Sequence, residues 1–184
     1  MKALIMQLFE TALTSDHQPL AERLRPKNID DLIGQNHLLA EEGLLRRLLN
    51  ADSLPSMIFW GPPGVGKTSI ARLLATQTRC AFEALSAVQA GVSDLKTIIQ
   101  RAQERLSFHQ QKTVLFLDEI HRFNKAQQDY LLPHIESGRL ILLGATTENP
   151  GFAVIPALRS RCMSIALSPL SEHDLHQVLE RGLE

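Results

Sequence analysis

The sequence predicts an α/β fold in which a five-stranded, mainly parallel sheet is flanked by helices. Short apolar runs alternate with helical patterns along residues 57–179, and this alternation places consecutive strands parallel to one another. The run Thr113–Leu117 is apolar almost throughout, as expected of a strand that helices cover on both faces. A glycine-rich segment at 61–68 marks the turn from the first strand into the helix that follows it.

Three segments precede the first predicted strand. Residues 1–18 are expected to form a mobile or helical arm. Residues 25–34 are expected to be irregular, because Pro26 and Gly34 both interrupt helices. Residues 38–50 carry paired leucines at helical spacing, which predicts a helix.

The remaining elements are assigned from hydrophobic patterns and capping signals. Asn124 with Gln127 three residues later forms a capping-box pattern, so a helix is expected from Lys125, with a bend at Pro133. Ser171 can cap the last helix. The predicted strands are 57–60, 82–85, 113–117, 140–143 and 162–167, and the predicted helices are 68–78, 94–106, 125–136 and 171–179.

Size and composition limit the possible function classes. The chain has 184 residues, 44% of them apolar, which is enough for one cored domain or for one domain and part of another. The formal net charge of −1 gives no support for nucleic-acid binding, although a local basic face stays open as an alternative. Cys80 and Cys162 lie outside any metal-binding pattern, which argues against zinc. The low cysteine count fits a reducing compartment better than a secreted scaffold, and a single disulfide stays open as an alternative. No apolar run approaches the roughly 18 residues that cross a bilayer, so the expectation is a cytoplasmic protein without a membrane partner.

The first chemical motif is the run Gly61-Pro62-Pro63-Gly64-Val65-Gly66-Lys67-Thr68, which matches G-x-x-x-x-G-K-[ST] at every fixed position. Glycines let the backbone curl so that its N–H groups converge on phosphate oxygens, and the helix that follows adds its partial positive charge. Lys67 is expected to neutralise the β- and γ-phosphates, and the Thr68 hydroxyl to coordinate Mg²⁺. The motif therefore predicts that these eight residues bind a nucleoside triphosphate with its magnesium ion.

Two acidic residues end the predicted strand 113–117. Asp118 and Glu119 follow this apolar run directly, which is the Walker B arrangement. Ligands of open α/β sheets bind at the edge where such strands end. Asp118 is expected to hold Mg²⁺, through water in most such sites, and Glu119 to orient and polarise the attacking water.

Polar residues follow the fourth predicted strand. Thr147 is the first candidate and Asn149 the second for a contact with the γ-phosphate or the attacking water. A β-turn rich in Thr and Asn explains the same pattern equally well.

Arg159 and Arg161 form a basic pair further along the chain. An arginine at a domain edge can enter a neighbour's active site and stabilise charge in the transition state. A solvated basic pair, or phosphate contacts to nucleic acid, are the alternatives that the residues leave open.

The segment after the acidic pair bears on the choice of metal and nucleotide. His121 has no second His or Cys well placed nearby, which disfavours a metal-ligand role. Asn124 and Lys125 are similar to the start of the guanine-reading N-K-x-D motif, but position 127 is Gln and the segment follows the acidic pair too soon. ATP is therefore favoured over GTP.

Five motifs in this order resemble one family: Pro19–Pro26, Ile33-Gly34-Gln35, the glycine-rich loop, Asp118–Asp129 and Thr146–Pro150. Residues 19–183 closely resemble the replication-associated recombination protein A family, which is related to the Werner helicase-interacting ATPase. The H-R-F-N-K-x-Q-Q-D run within these motifs is far more specific than the glycine-rich loop alone.

The resemblance implies an AAA+ fold with strand order 5-1-4-3-2 and a small helical lid. In this division residues 1–18 are the arm, residues 19–168 the ATPase core and residues 169–184 the start of a truncated lid. The sensor-2 arginine and the oligomerisation region of the family are then missing, so this piece is expected to bind nucleotide weakly and turn over slowly.

The resemblance also assigns roles by position. Thr147 looks like sensor 1 and Arg161 like the arginine finger, although the family usually has Leu where this chain has Arg159. The segment Ile33-Gly34-Gln35, with the segment around Arg25, looks like the wall of the adenine pocket.

The function implied by the resemblance is DNA-stimulated ATP hydrolysis at stalled or damaged replication forks, with Mg²⁺ as cofactor. The implied partners are fork or junction DNA, single-stranded DNA-binding protein and further copies of the chain, in a nucleoid-associated setting. Two alternatives remain. One is a clamp-loader subunit or Holliday-junction motor of the same fold, from which the H-R-F-N-K-x-Q-Q-D run points away. The other is a nucleotide-binding adaptor that hydrolyses nothing.

Overall fold

A computed structural model describes residues 20–51 and 53–183, and the predicted arm 1–18 lies outside these residues. The described strands are β1 (Met57–Trp60), β2 (Ala81–Ser86), β3 (Thr113–Asp118), β4 (Leu140–Thr146) and β5 (Met163–Ala166). They form one sheet in the order β2-β3-β4-β1-β5, and every neighbouring pair is parallel. The predicted sheet and its strand order are both confirmed.

Helices connect the strands and cover the sheet on both faces. They are α1 (Leu20–Arg23), α2 (Asn36–Leu39), α3 (Leu44–Asn50), α4 (Lys67–Gln77), α5 (Val92–His109), α6 (Lys125–Glu136), α7 (Pro150–Ala153), α8 (Pro156–Arg159) and α9 (Glu172–Leu183). Two single turns of 3₁₀-helix lie at Ile29–Asp31 and Ile120–Arg122. None of the helices in the described part of the chain has the length and apolar character that a membrane crossing requires.

Alternate residues of each central strand feed two separate cores. Met57 and Phe59 of β1 join one buried cluster with residues of α2, α3 and α4, whereas Ile58 joins a second cluster with residues of α5, α6 and α8. All three side chains are fully inaccessible to solvent. The strand is apolar at every position because each of its faces has its own cover of helices.

Three predicted helices differ from those observed: one is divided, and both α5, which covers Val92–His109 rather than 94–106, and the last helix are longer. The leucine-rich segment does not form one helix, since α2 ends at Leu39 and α3 begins at Leu44. Gly43 closes the turn between them: its N–H donates to the Ala40 carbonyl at 2.7 Å, and a Cβ there would lie 2.3 Å from the Leu38 carbonyl oxygen. Only glycine fits so close an approach, and leucine spacing does not reveal it.

The last helix is longer than predicted. It runs to Leu183 rather than to residue 179, and its predicted cap is confirmed because Ser171 and Asp174 exchange hydrogen bonds. The predicted capping box of α6 is also confirmed, with Asn124 and Gln127 each accepting the other's backbone N–H at 2.9 Å. That helix continues through Pro133 to Glu136.

The topology brings the predicted motifs to one edge of the sheet. Strand β1 lies between β4 and β5, and β4 lies beside β3, so the carboxyl ends of β1, β3 and β4 are neighbours. Gly61, directly after β1, donates its N–H to the Thr146 carbonyl at 3.2 Å. The glycine-rich loop, the acidic pair and the polar segment after β4 therefore meet at this edge, as expected for open parallel sheets.

Candidate nucleotide-binding and hydrolysis site

The glycine-rich loop leaves open space above its backbone. Gly64 and Gly66 have φ angles of +80° and +94°, in the left-handed region that favours glycine. A Cβ added at either position would meet nothing within 4 Å. Such open volume beside a loop leaves room for a phosphate that converging backbone N–H groups can bind.

Lys67 begins α4 and is almost buried, with 8% of the residue exposed. Its ammonium group donates to the Gly61 and Pro62 carbonyls, each at 2.8 Å. Burial lowers the pKa of Lys67 below its usual value, while the charges of Glu119 and Asp118 act in the opposite direction. The ammonium is therefore held beside the loop as a single, poorly hydrated positive charge.

The acidic pair shares a cleft with the loop. Asp118 ends β3, and Glu119 adopts a left-handed backbone with φ of +53°. Its N–H donates to the Asp118 carboxylate at 3.1 Å. A non-glycine residue with positive φ is uncommon, and such strain concentrates at functional sites. Here it turns the chain out of the strand while both residues still line one cleft of about 370 Å³ with Lys67 and Thr68.

The residues of this cleft fit a magnesium nucleotide. Thr68 and Asp118 offer a hydroxyl and a carboxylate, which are the hard oxygen ligands that Mg²⁺ takes. Lys67 and the open loop offer positive charge and N–H groups to the phosphates. Thr68 and Asp118 would hold the ion while its remaining positions take phosphate oxygens and water.

A second cleft of about 380 Å³ adjoins the loop on its other side and shares Gly64 and Gly66 with it. Its walls are largely apolar and include Leu24, Ile33, Leu170 and Val178. A flat apolar base fits such walls. Ile33 lines this cleft, and its place in the adenine pocket stays a prediction.

Gly34 lies behind this wall rather than in it. It is buried with φ of +76°, and a Cβ there would approach the Leu170 side chain to 2.6 Å. Its neighbour Gln35 holds the same junction, because its amide donates to the Ser168 carbonyl at 2.7 Å and accepts the Ser168 N–H at 3.0 Å. Gln35 also lines this cleft; the sequence placed it in this segment but gave no sign of its pairing with Ser168 across more than 130 positions.

The two threonines at the end of β4 differ in burial, and the predicted contact of Thr147 with phosphate or water stays a prediction. Thr146 is fully buried, and its hydroxyl accepts the Glu148 N–H at 3.0 Å, whereas Thr147 is exposed. Asn149 accepts the Gly151 N–H at 2.8 Å and so caps α7. The strand continues three residues beyond its predicted end, and this extension decides which side chain faces inward.

His121 is the site residue whose contacts the sequence did not predict. Its Nδ1 lies 3.1 Å from a Glu119 carboxylate oxygen and 3.1 Å from the Thr146 hydroxyl, and its Nε2 lies 3.6 Å from the Glu148 carboxylate. The side chain is 10% exposed. The position of His121, two residues after Glu119, was the one signal in the sequence. Its partners at the end of β4 and just after it became apparent only in the three-dimensional structure.

The two arginines lie outside both clefts. Arg161 is exposed, pairs with Glu136 and donates to the Ala157 carbonyl at 2.8 Å. Arg159 donates to the Gly151 carbonyl at 2.9 Å, which ties α8 to α7. Within the chain, both guanidinium groups therefore contact surface elements rather than the phosphate loop.

A phosphate-binding loop after β1, a buried lysine and an acidic pair at the neighbouring strand end define a P-loop ATPase. Residues 57–170 match one sequence family, the ATPase family associated with various cellular activities (AAA). The chain belongs to this family. ATP and Mg²⁺ are accordingly its nucleotide and metal.

Curated relatives confirm the resemblance found in the sequence. The chain is 48% identical over 167 residues to the replication-associated recombination protein A of Escherichia coli strain K12, and 46% identical over 166 residues to that of Bacillus subtilis. It is 48% identical over 166 residues to the ATPase WRNIP1 of Dictyostelium discoideum. These alignments cover 90–91% of the chain but only 37%, 38% and 19% of the three relatives.

Solved structures show the same fold. The RuvB Holliday junction branch migration motor of Thermotoga maritima superposes with a TM-score of 0.70 at 30% identity. The match covers 86% of this chain and 53% of RuvB.

Proposed function

We propose that this chain is the ATPase core of a DNA-stimulated, self-assembling enzyme that acts in replication-fork maintenance and recombination. The observation that carries the proposal is the single cleft shared by the glycine-rich loop, Lys67, Asp118 and Glu119. The names of its relatives, at 46–48% identity, support the cellular role. That role would place the protein with chromosomal DNA in the cytoplasm.

In the proposed reaction each residue has one task. Lys67 and the loop N–H groups bind the phosphates, and Thr68 and Asp118 hold Mg²⁺. Glu119 orients and polarises the attacking water. A residue after β4 contacts the γ-phosphate or that water. Thr147 is the first candidate for this role and Asn149 the second.

Arg161 is proposed to complete the site of a neighbouring copy. Its exposure, and its place outside its own chain's clefts, support action in trans. Arg159 serves as the matched comparison, because its contact with Gly151 gives it a role within its own chain. In assembled protein, Arg161→Ala should lower ATP turnover about 10³-fold or more, and Arg159→Ala should lower it far less.

Binding and hydrolysis are tested separately. Calorimetry should show that Lys67→Ala weakens ATP about 10-fold to 100-fold, because charged hydrogen bonds contribute about 1.5–3 kcal/mol each. Glu119→Gln should keep ATP affinity and lose hydrolysis. If Lys67→Ala binds ATP as the wild type does, the assignment of the site is wrong.

Phosphate release separates the proposed enzyme from an adaptor. Wild-type protein should release phosphate faster with primed or forked DNA than without it, and Glu119→Gln should release none in either case. An adaptor would give equal, background release for both proteins. Mass measurement of Glu119→Gln with ATP should show assembly, and pull-down with single-stranded DNA-binding protein tests the second partner.

The Holliday-junction motor is the second candidate, because its structure resembles this chain. The higher identity to replication-associated recombination protein A favours fork DNA. Forked and four-way DNA compared at equal concentration and salt distinguish the two, with stronger stimulation by the four-way junction contradicting the fork assignment.

A further inference from the structure

The feature that carries a further inference is the contact between His121 and Glu119. The His121 ring is nine-tenths buried at the edge of the phosphate cleft. Its Nδ1 is equidistant, at 3.1 Å, from a Glu119 oxygen and from the Thr146 hydroxyl. Three elements of the active edge, the end of β3, the turn after it and the end of β4, thus meet at one ring nitrogen.

Chemistry determines which ring nitrogen carries the proton. An ionised carboxylate only accepts hydrogen bonds, so a lone pair on Nδ1 facing Glu119 would repel it. A protonated Nδ1 instead donates its N–H to the Thr146 hydroxyl, and the positive end of this N–H attracts the Glu119 oxygen beside it. The Thr146 hydroxyl accepts the Glu148 N–H as well, which fixes this arrangement from the loop after β4.

The carboxylate of Glu119 needs such a partner. Its Oε2 atom is buried and makes no aligned hydrogen bond, although the side chain as a whole is 31% exposed and lines the phosphate cleft. A buried, uncompensated carboxylate oxygen is costly, so the His121 proton next to it stabilises this rotamer. Holding Oε2 against the ring leaves Oε1 as the oxygen for a water in the cleft.

We propose that His121 is a positioning residue for ATP hydrolysis: it holds the Glu119 carboxylate at the cleft, and the Thr146 hydroxyl, fixed by the Glu148 N–H, holds the ring in turn. The inference rests on the proposed ATPase function and adds a residue to it. The Glu148 carboxylate is 58% exposed and 3.6 Å from Nε2, so it is free to turn toward solvent and plays no part in holding the ring.

Three variants test the ring nitrogen rather than the bulk of the ring. His121→Ala removes both nitrogens, His121→Asn keeps a donor near the place of Nδ1, and His121→Gln keeps one near the place of Nε2. His109→Ala is the matched surface control, because His109 is exposed at the end of α5, at the opposite edge of the sheet.

Single-turnover hydrolysis and ATP affinity are measured for each variant. We expect His121→Ala to lower the hydrolysis rate about 10-fold to 100-fold, since a small misplacement of a catalytic group has effects of this size. ATP affinity should stay within about threefold, because the polar contacts of the ring nitrogens are with Glu119, Thr146 and Glu148. Asn should recover most of the rate and Gln should not. Equal rates for Ala and Asn, or affinity that falls in parallel with rate, would overturn the proposal.

A measurement that needs no ATP hydrolysis separates the positioning role of His121 from the proposed ATPase function. The ¹⁵N signals of the His121 ring, assigned with His121→Asn, should show a protonated Nδ1 and should shift in Glu119→Gln. Unchanged ring signals in Glu119→Gln would overturn the positioning role whether or not ATP is hydrolysed. Wild-type phosphate release no faster than that of Glu119→Gln would instead overturn the ATPase itself.

Discussion

Single residues with positive φ angles build the phosphate loop. Gly66 has φ of +94° and Gly138, at the end of α6, has φ of +68°, and a Cβ at either would meet nothing within 4 Å. The two glycines thus share one backbone requirement and differ in location. They allow the effect of backbone strain to be separated from the effect of filling the phosphate space.

Gly66→Ala and Gly138→Ala should each lower the free energy of unfolding by roughly 1–2 kcal/mol, because a left-handed backbone is strained for a residue with a Cβ. Only Gly66→Ala should also weaken ATP, about 10-fold or more, since its methyl group projects into the phosphate space. Thermal unfolding and calorimetry of both variants check this pair. Equal ATP affinity in the two variants would contradict the placement of the phosphate.

A buried thiol adds a pH dependence at the same scale. Burial raises the pKa of Cys162 to about 12 from an ordinary value of 9.0. The thiol's contribution to stability is complete below pH 9 and is lost as pH rises toward 12, because the unfolded state releases the proton first. The expected slope is at most about 1.4 kcal/mol per pH unit.

Cys162→Ala should flatten the fall in unfolding free energy above pH 9. Between pH 6 and 8 the difference between wild type and variant should not change with pH, which serves as the internal control. Urea unfolding at a series of pH values measures both ranges. Parallel curves across the whole range would show that the thiol is not shielded.

Helix α6 fixes the loop that follows β4. Gln128 on this helix is 3% exposed. Its amide donates to the Phe123 carbonyl at 3.0 Å and to the Ala153 carbonyl at 3.2 Å, and its oxygen accepts the Ile155 N–H at 2.9 Å. The Gln128 side chain thereby satisfies backbone polar groups of Ala153 and Ile155.

Gln128→Leu should lower the free energy of unfolding by about 2–4 kcal/mol, because it leaves buried N–H and C=O groups without partners. Gln100→Leu is the matched control, since Gln100 is an exposed helical glutamine on α5. That change should stay within about 0.5 kcal/mol. Denaturant titration of both proteins measures the difference, and similar losses would contradict the bridging role of Gln128.

At the scale of the whole molecule, distant segments build the apolar cleft beside the glycine-rich loop, where we expect the base to bind. Val178 on α9 lines it together with Ile33, although about 145 positions separate them in the chain. The clamp between Gln35 and Ser168, and the hydrogen bond from Arg181 to the Asp31 carbonyl at 2.7 Å, hold α9 over the cleft.

Two adjacent residues of α9 test this geometry. Val178→Asp should weaken ATP about 10-fold, because it puts a charge into the apolar wall beside the base. Leu179→Asp should leave affinity unchanged, since Leu179 is 65% exposed and does not line the cleft. Competition binding with a fluorescent ATP analogue compares them. A larger effect at Leu179 would contradict the orientation of α9.

The patterns of the sequence predicted the sheet, the capping box of α6, the Ser171 cap of α9, and the glycine-rich loop and acidic pair that meet in one cleft. They did so because strand burial, helix caps and phosphate loops depend on residues that are close in the chain. The same patterns failed at Gly43, where a single close backbone approach divides a leucine-rich segment into two helices. They also gave no preference between a γ-phosphate contact and a turn for Thr147 and Asn149.

By itself, the sequence determined the class of fold, and it predicted that a loop of backbone N–H groups and a lysine bind a triphosphate while a carboxylate pair acts on metal and water. Only the tertiary structure decided that Thr146 faces inward, that Gln35 locks the junction at Ser168, and that His121 contacts Glu119. The physical reason is that these contacts depend on strand register and on packing between segments distant in the chain, for which local patterns carry no signal.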